Sequence, residues 1–426
     1  MLVSDMVSTQ SGNSPTHAPV RVRGKEQRTL RAGFIPLMDA SILIVASELG
    51  FAETEGLHLE LVRDVTWANV RDRLAFRQFD IAHMLSPMPV ASMLGLGSNP
   101  SPTIAPFSLG RGGNAITRVF ERMQALTGLA DDAGALANAQ ALAALLADMR
   151  SRGEAVPTLG MTYPFSSHNY EFRYWLAAGG IDPDRDVKLV VVPPPLTSDA
   201  LAAGAIDGFC VGAPWNMIAS ERGTGRIVAA KQDIWPLAPE KVLGMRPDWA
   251  DANADTVSRL IVALDRAARW CDDPGHHTEL ADILSAPEYI AAPTSIIRRV
   301  LSGEFSLDAR GTKRVVPDYF LFHRGAANYP RPDQATWIYS QMIRWGQTGF
   351  SMEGLARARS AFRPDLYLAA LGQEAVMPDE TSEKGGATGY AGFMDDKLFV
   401  PDDIEAYVGR FPVRSTASSG AGAAEI

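Results

Sequence analysis

Cysteine is almost missing from this 426-residue chain: Cys210 and Cys271 are the only two, and no Cys-x-x-Cys pair occurs. That excludes a disulfide framework and a cysteine-ligated zinc centre, and both read as buried thiols. Positive charge is also short. The formal net charge is −9 and the pI near 5.4, which argues against general binding to nucleic acid or an anionic membrane, since either needs a basic face. Any anion site must therefore be local. No apolar run reaches the roughly 18 residues of a membrane-spanning helix. The opening stretch MLVSDMVSTQSGNSPTHAPVRVRGKEQR has no apolar core, and its basic residues follow the polar part instead of preceding it. It does not read as a secretory signal, so the expected location is cytoplasmic. Catalytic signatures are missing as well: there is no GxSxG, GxxxxGK[ST], HExxH, or GxGxxG after a strand. "GLGSNP" lacks the third glycine, and "DPGHHTEL" places His276 and His277 in a surface turn. An enzyme is not expected.

What remains is ordinary globular material, 46% hydrophobic and 21% charged, long enough for two domains. "LRAGFIPL" (30–37) reads as a strand, "SILIVASELGFAETEG" (41–56) as a helix, and "LHLELV" (57–62) as an alternating strand. Strand, helix, strand implies a right-handed parallel crossover. "DRLAFRQFDIAHMLSPMP" then has a downstream counterpart in "DALAAGAIDGFCVGAPW". Asp72, Leu74, Ala75, Asp80 and Pro87 match Asp199, Leu201, Ala202, Asp207 and Pro214. Each is a helix leading through a turn aspartate into an apolar strand that ends at a proline. Two helix-strand units in one large α/β fold satisfy this. So do two similar lobes, each a mostly parallel sheet with helices, with a cleft between the strand ends where a small ligand binds.

The expected organisation is a disordered segment at 1–27, a discontinuous first lobe at 28–113 and 226–372, a second lobe at 114–225, and an extended C-terminal segment at 373–426 with a disordered tail from about Arg414. "GRIVAA" and "EKVLGM" are read as returning to the first lobe. "TVSRLIVALDRAARW" and "ATWIYSQMIRWGQ" are amphipathic helices that buttress it.

Donor groups stand out in otherwise apolar settings. In "PFSSHNYEFRYWLAAGGIDP" (164–183), Phe172, Trp175, Leu176 and Gly179 keep helical spacing, Ser167 is the expected N-cap, and Gly179-Gly180 the left-handed stop. His168 then falls at the first helical position and Glu171 in the first turn. A helix N-terminus offers unpaired N–H groups to an anion, although on this stretch alone a histidine satisfying a loop carbonyl is the favoured reading. "GRGGNAI" (110–116) is a glycine-rich turn able to aim successive N–H groups at an anion, or simply a hinge. Trp67 in "DVTWANVRDRL" starts a helix after a strand, as a core tryptophan or an indole donor. Lys241 in "PEKVLGM" enters an apolar strand, as a fixed charge or a solvent-exposed end.

From about Leu30 to Gly372 the chain resembles the nitrate- and bicarbonate-binding proteins of ABC transporters, and especially their cytoplasmic sensor relatives of the NasS type. The resemblance is carried by "GFIPLMDASILIVASELGFAETEGL", "TWANVRDRL", "FDIAHMLSPMP", "HNYEFRYWLAAGGIDPD", "APWN" and "PEKVLGM". It implies a two-lobed α/β fold of the periplasmic-binding-protein type II (C-clamp) class, with a helical C-terminal region. It also implies a ligand site for nitrate at Trp67, the turn residues Gly113 and Asn114, His168 and Lys241. The family turn usually reads glycine, glutamine, glycine, where this chain has Gly113-Asn114-Ala115. In bicarbonate-binding relatives the lysine position is acidic and a metal assists, so Lys241 favours nitrate or nitrite. The sensor relatives hold an ANTAR-domain RNA-binding antiterminator protein without ligand and release it on binding nitrate or nitrite. The same role is expected here, with no direct nucleic-acid or membrane contact. The alternative is the substrate-binding component of an ABC transporter. Thiamin-pyrimidine synthases share the broad fold, but resemble a case with a cysteine-rich site that Cys210 and Cys271 alone cannot supply.

Nitrate is a planar monoanion that accepts hydrogen bonds and never donates them. Its site needs N–H donors, a compensating charge and a flat surface. Hydrogen bonds with a charged partner contribute roughly 1.5 to 3 kcal/mol each, and a few reach the about −8 kcal/mol of micromolar binding.

Overall fold

The computed structural model describes residues 27–379 and 389–415. The expected disorder at both ends falls outside these ranges, apart from Gln27, Arg414 and Ser415. In chain order the strands that build the fold are β1 (Arg28–Phe34), β2 (Leu57–Arg63), β3 (Ile81–Leu85), β4 (Ile104–Ser108), β5 (Arg111–Gly112), β6 (Asn114–Arg118), β7 (Thr158–Met161), β8 (Lys188–Val191), β9 (Gly208–Gly212), β10 (Arg226–Ala230) and β11 (Lys241–Met245). All but β5 form two five-stranded sheets, β2-β1-β3-β11-β4 in the first lobe and β10-β6-β9-β7-β8 in the second, while β5 pairs with Phe320–Leu321.

Each sheet has a single reversed strand. β1 pairs parallel with β2 and β3, and β11 runs antiparallel to both β3 and β4. In the second lobe β7 pairs parallel with β8 and β9, and β6 runs antiparallel to both β9 and β10. Edge strand β2 buries Leu57 and Leu59 and exposes His58 and Glu60, the period-two pattern of a half-covered strand. β3, β4, β9 and β11 are buried throughout, matching their near-continuous apolar runs.

The membership of β10 corrects the expected boundary at 225/226. "GRIVAA" pairs with β6 and so belongs to the second lobe, whereas "EKVLGM" does return to the first. An apolar strand carries no mark of which sheet it joins. The chain thus crosses between lobes twice, from β4 to β6 and from β10 to β11. The helix expected over 41–56 is also two pieces, Ser41–Glu48 and Phe51–Thr54, broken at Gly50 with φ 73°.

The helix Ala254–Asp272 buries Val257, Leu260, Ile261, Leu264, Ala268 and Cys271 on one face. Each large aliphatic side chain removed from water there is worth about 1.5 to 3 kcal/mol. It packs against Ser41–Glu48 and the helix Pro364–Leu371, which holds the first lobe from behind. The C-terminal segment, expected to be extended, instead carries the helix Ile404–Gly409 and an aromatic cluster. Phe393 stacks on Trp235 at 4.4 Å, and Phe411 packs edge-on against Tyr174 at 5.5 Å. Tyr174 also donates to Asp395 at 2.7 Å, and the Met394 amide donates to the Ile234 carbonyl at 2.9 Å. This segment fastens the second crossing to the helix Ser167–Ala178.

Candidate functional site

Parallel strands end, and the reversed strands begin, on the same edge of each sheet. Lys241, first residue of β11, lies opposite Leu85 at the end of β3; Asn114, first residue of β6, lies opposite Gly212 at the end of β9. The sequence therefore delivers one polar side chain from each lobe to the facing edges. The 3-10 turn Met38–Ala40 after β1 adds Asp39, the helix Trp67–Ala75 after β2 adds Trp67, and the helix Ser167–Ala178 after β7 adds His168 and Glu171. The second crossing adds Lys231 and Glu240. All eight side chains are at most 4% exposed.

These groups form one network. Lys241 Nζ lies 2.8 Å from Asp39 Oδ2 and contacts Glu240 Oε1. Asp39 Oδ1 is 2.7 Å from His83 Nε2. The Ile35 amide donates to His83 Nδ1 at 3.4 Å, which leaves the ring proton on Nε2, toward Asp39. Glu240 Oε2 also accepts from Lys231 Nζ at 2.6 Å, from Ser167 Oγ at 3.1 Å and from Asn114 Nδ2. Asn114 Nδ2 donates in addition to Glu171 Oε2 at 3.0 Å, and Lys231 Nζ is 3.2 Å from Glu171 Oε1. Trp67 meets the His83 ring nearly edge-on at 5.2 Å, and Lys241 Nζ stands 5.9 Å from the Trp67 ring. His168 Nδ1 is 3.1 Å from Thr162 Oγ1, and Nε2 is 3.9 Å from Glu240 Oε1. Among the described residues neither Trp67 Nε1 nor His168 Nε2 has a hydrogen-bond partner.

The charges settle unevenly. Burial would raise the pKa of Asp39, but Lys241 and His83 outweigh it and hold the carboxyl below its usual range. Burial also works to raise Glu240, yet Lys231 and Lys241 pull it down to about 2. Glu171 has only one lysine beside it. Burial, reinforced by the neighbouring Glu240, lifts it to about 7 against the pull of Lys231. Lys241 stays charged, since Asp39 and Glu240 overcome the burial that lowers it. His168 is pushed down to about 3, by burial first and then by Lys241. It is neutral, and in the tautomer that takes the Thr162 hydroxyl on Nδ1 its Nε2–H is a donor without a partner among the described residues.

Several expectations are corrected here. Ser166, not Ser167, caps the helix, its Oγ accepting from the Asn169 amide at 3.0 Å, so His168 is the second helical residue. Gly180, with φ 87°, takes the left-handed conformation, while Gly179 stays right-handed at φ −77°. Glu171 lies beyond the first turn and faces the network rather than the helix dipole. Burial keeps His168 neutral. Lys241 is neither exposed nor a lone charge. The glycine turn does not offer Gly113 as an anion donor: its amide donates to the Tyr319 carbonyl at 2.8 Å, and its carbonyl accepts from Tyr319 Oη at 2.7 Å. Glycine is required at Gly112 and Gly113 because a Cβ would stand 2.1 Å from the Tyr319 carbonyl oxygen and 2.6 Å from the Phe320 ring, respectively. The turn is a close-packed hinge that sets the start of β6. Trp67, Asn114, His168 and Lys241 are brought to one network; Gly113 positions Asn114 without facing it.

Sequence reasoning missed Asp39, His83, Lys231, Glu171 and Glu240 as site residues. The available signal was a charged or imidazole side chain inside an apolar run, as in "FIPLMDASILIVA" and "DIAHML". A charge in such a place is buried only if paired.

Two α/β lobes joined by two crossings, with a buried polar network at the facing strand ends, define the ligand-binding class of two-lobed periplasmic-binding-protein folds. The crystal structure of the periplasmic nitrate-binding protein NrtA from Synechocystis PCC 6803 superposes with a TM-score of 0.81 at 28% identity, over 91% of this chain and 99% of that one. Residues 23–285 match the NMT1-like family, and the chain belongs to it. It is 31% identical over 414 residues to the nitrate/nitrite binding protein NrtA of Synechococcus elongatus, covering 93% of this chain and 90% of that protein. It is 35% identical over 392 residues to the nitrate import ATP-binding protein NrtC of Synechocystis, covering 92% of this chain. The chain spans 56% of the length of that NrtC. No helix among the described residues is long and apolar enough to cross a membrane.

Proposed function

We propose that this chain binds nitrate or nitrite between its lobes without transforming it, and acts as a cytoplasmic sensor that releases an ANTAR-type antiterminator partner when the anion binds. The observation that carries the ligand is a pair of buried donors, Trp67 Nε1–H and His168 Nε2–H, with no partner among the described residues, beside the Asn114 amide and the Lys241 ammonium. An acceptor-only anion suits all four. It enters in competition with Glu240, whose carboxylate already engages Lys231, Lys241 and Asn114. The names of the NrtA relatives support the ligand. The sensor role rests on the resemblance to NasS-type proteins, and physically requires that the partner bind only one arrangement of the lobes.

Calorimetry with sodium nitrate and sodium nitrite tests the ligand: one anion per chain is expected, with His168→Ala weakening binding by about tenfold. Heat with bicarbonate and none with either nitrogen oxyanion overturns it. Copurification with an ANTAR protein tests the sensor role, and a complex indifferent to nitrate removes it. The alternative, the substrate-binding component of an ABC transporter, has support in the likeness to NrtA. Bicarbonate is the second ligand reading, favoured by Glu171 and Glu240, since a buried carboxylate accepts the O–H that nitrate lacks.

A further inference from the structure

The buried network holds three carboxylates, Asp39, Glu171 and Glu240, and two ammonium groups, Lys231 and Lys241. With all five ionised the site is one negative charge in excess, and a bound monoanion makes it two, out of contact with water. Burying a charge without a partner is costly, so a compensating proton is the cheaper state. The geometry identifies its place. Glu240 has two lysines and the Ser167 hydroxyl, whereas Glu171 has only Lys231 and the Asn114 amide, and shares both with Glu240. Beyond the Lys231 ammonium 3.2 Å away, Glu171 Oε1 has no donor among the described residues.

We propose that the anion binds together with one proton from solvent, and that Glu171 is the residue that takes it. The inference rests on the anion reading above. The proton adds to the Glu171 carboxylate to give the neutral acid as the anion enters, so the net charge of the site is unchanged. Lys231 and Asn114 are thereby freed from one of their two carboxylates and turn to the ligand. The other groups facing this region are poor acceptors. His168 is held neutral by burial and Lys241. His83 Nε2 stands 2.7 Å from Asp39, away from Glu171, and Lys241 keeps Asp39 ionised. Cys210 on β9 and Tyr319 are fully protonated, raised by burial and by these same carboxylates. Because Asn114, Lys231 and Glu240 flank the two crossings, the proton also adjusts the charge at the hinge. The position of Glu171, raised to about 7, places the effect in an accessible range.

The test is calorimetric titration of the full chain with sodium nitrate from pH 6 to 9, at each pH in two buffers of different ionisation enthalpy. Affinity is expected to be level below about pH 7 and then to fall toward tenfold per pH unit, one proton per anion. The two buffers should differ in heat by close to one proton per nitrate at pH 8. Glu171→Gln, fixed in the neutral form, should lose the pH dependence and bind at pH 8.5 at least about tenfold more tightly than the parent. Nitrate bound with an affinity and heat indifferent to pH and buffer overturns the proton and leaves the anion reading standing. Glu171→Gln keeping the parental slope overturns the assignment to Glu171. No nitrate or nitrite binding at any pH removes the anion reading itself. If the variant does not fold, the paired-buffer heats of the parent protein decide.

Discussion

The two lobes share a topology and differ in charge. In each, a helix leads through an aspartate into the central buried strand, and the aspartate does the same thing twice. Asp80 accepts from the Arg31 amide at 2.9 Å while its own amide donates to the Arg31 carbonyl; Asp207 accepts from the Thr158 amide at 2.8 Å while its amide donates to the Thr158 carbonyl. At the facing edges the equivalence continues in position alone. Lys241 starts the reversed strand of the first lobe where Asn114 starts that of the second, and His83 on β3 corresponds to Cys210 on β9. The first lobe contributes the charged groups Asp39, Glu240 and Lys241, with His83 against Asp39. The second contributes mainly neutral donors, Asn114 and His168, and the loosely compensated Glu171. One scaffold used twice thus fixes positions, and the residue types at those positions divide the labour between charge and recognition.

That division can be broken by substituting equivalent positions. The largest effect is expected for Lys241→Ala, which leaves Asp39 and Glu240 buried without their shared partner. Stability should fall by about 3 to 5 kcal/mol, against about 1 to 3 kcal/mol for Asn114→Ala in the other lobe. Urea unfolding of the two variants measures the gap, and equal losses would contradict the asymmetry.

Next comes a pH effect on the ligand-free protein. The carboxyl of Glu171 is raised in the fold to about 7 from an ordinary value near 4.5. Its contribution is therefore fully present below pH 4.5 and lost as pH rises through 7. Between pH 5 and 8 the parent should lose roughly 1 to 3 kcal/mol relative to Glu171→Gln. Glu240 has the opposite sign, held at about 2, and its contribution is lost only in strong acid. Parallel stability curves for parent and variant would remove the effect.

A smaller and symmetric pair follows. Asp80→Ala and Asp207→Ala should each cost about 1 kcal/mol, one turn hydrogen bond apiece, and by equal amounts if the lobes are equivalent in their scaffolds. The smallest concerns contact between lobes. Arg71 donates to Tyr163 Oη at 2.6 Å across the cleft. Tyr163→Phe removes that contact, and since both partners are only partly buried, anion affinity should fall by about twofold with stability almost unchanged.

Much of the scaffold was legible because periodicity and turn chemistry are local. β1, β2 and the duplicated helix-aspartate-strand unit could be read from alternation and from the paired Asp80 and Asp207. The exchange of strands could not, because "GRIVAA" and "EKVLGM" are equally apolar and only long-range pairing separates them. Within the site, Trp67, Asn114, His168 and Lys241 were found through resemblance. Their countercharges escaped because a lone Asp39, Lys231 or Glu240 looks like a solvated side chain until its partner, remote in sequence or across a turn, is known. Glu171 was seen but misassigned, since a one-residue shift of the cap changes which turn it occupies. Gly113 was credited with a donor that Tyr319 consumes.

The reversed strand of each sheet has a consequence for how the chain is made. Within its sheet β4 pairs with β11, which inserts between it and β3, and β11 is synthesised after the whole second lobe. Until about residue 245 has left the ribosome, the first sheet lacks the strand that joins β4 to β1, β2 and β3. The second sheet, β6 to β10, is one contiguous piece of chain that interrupts the first, so a cut made between β10 and β11 leaves the first sheet incomplete and the second whole. The whole second sheet is synthesised before the strand that closes the first. Glu240 and Lys241, at the start of that strand, bring charge to the cleft, so the last strand made of the two sheets is also the one that carries charge into the site.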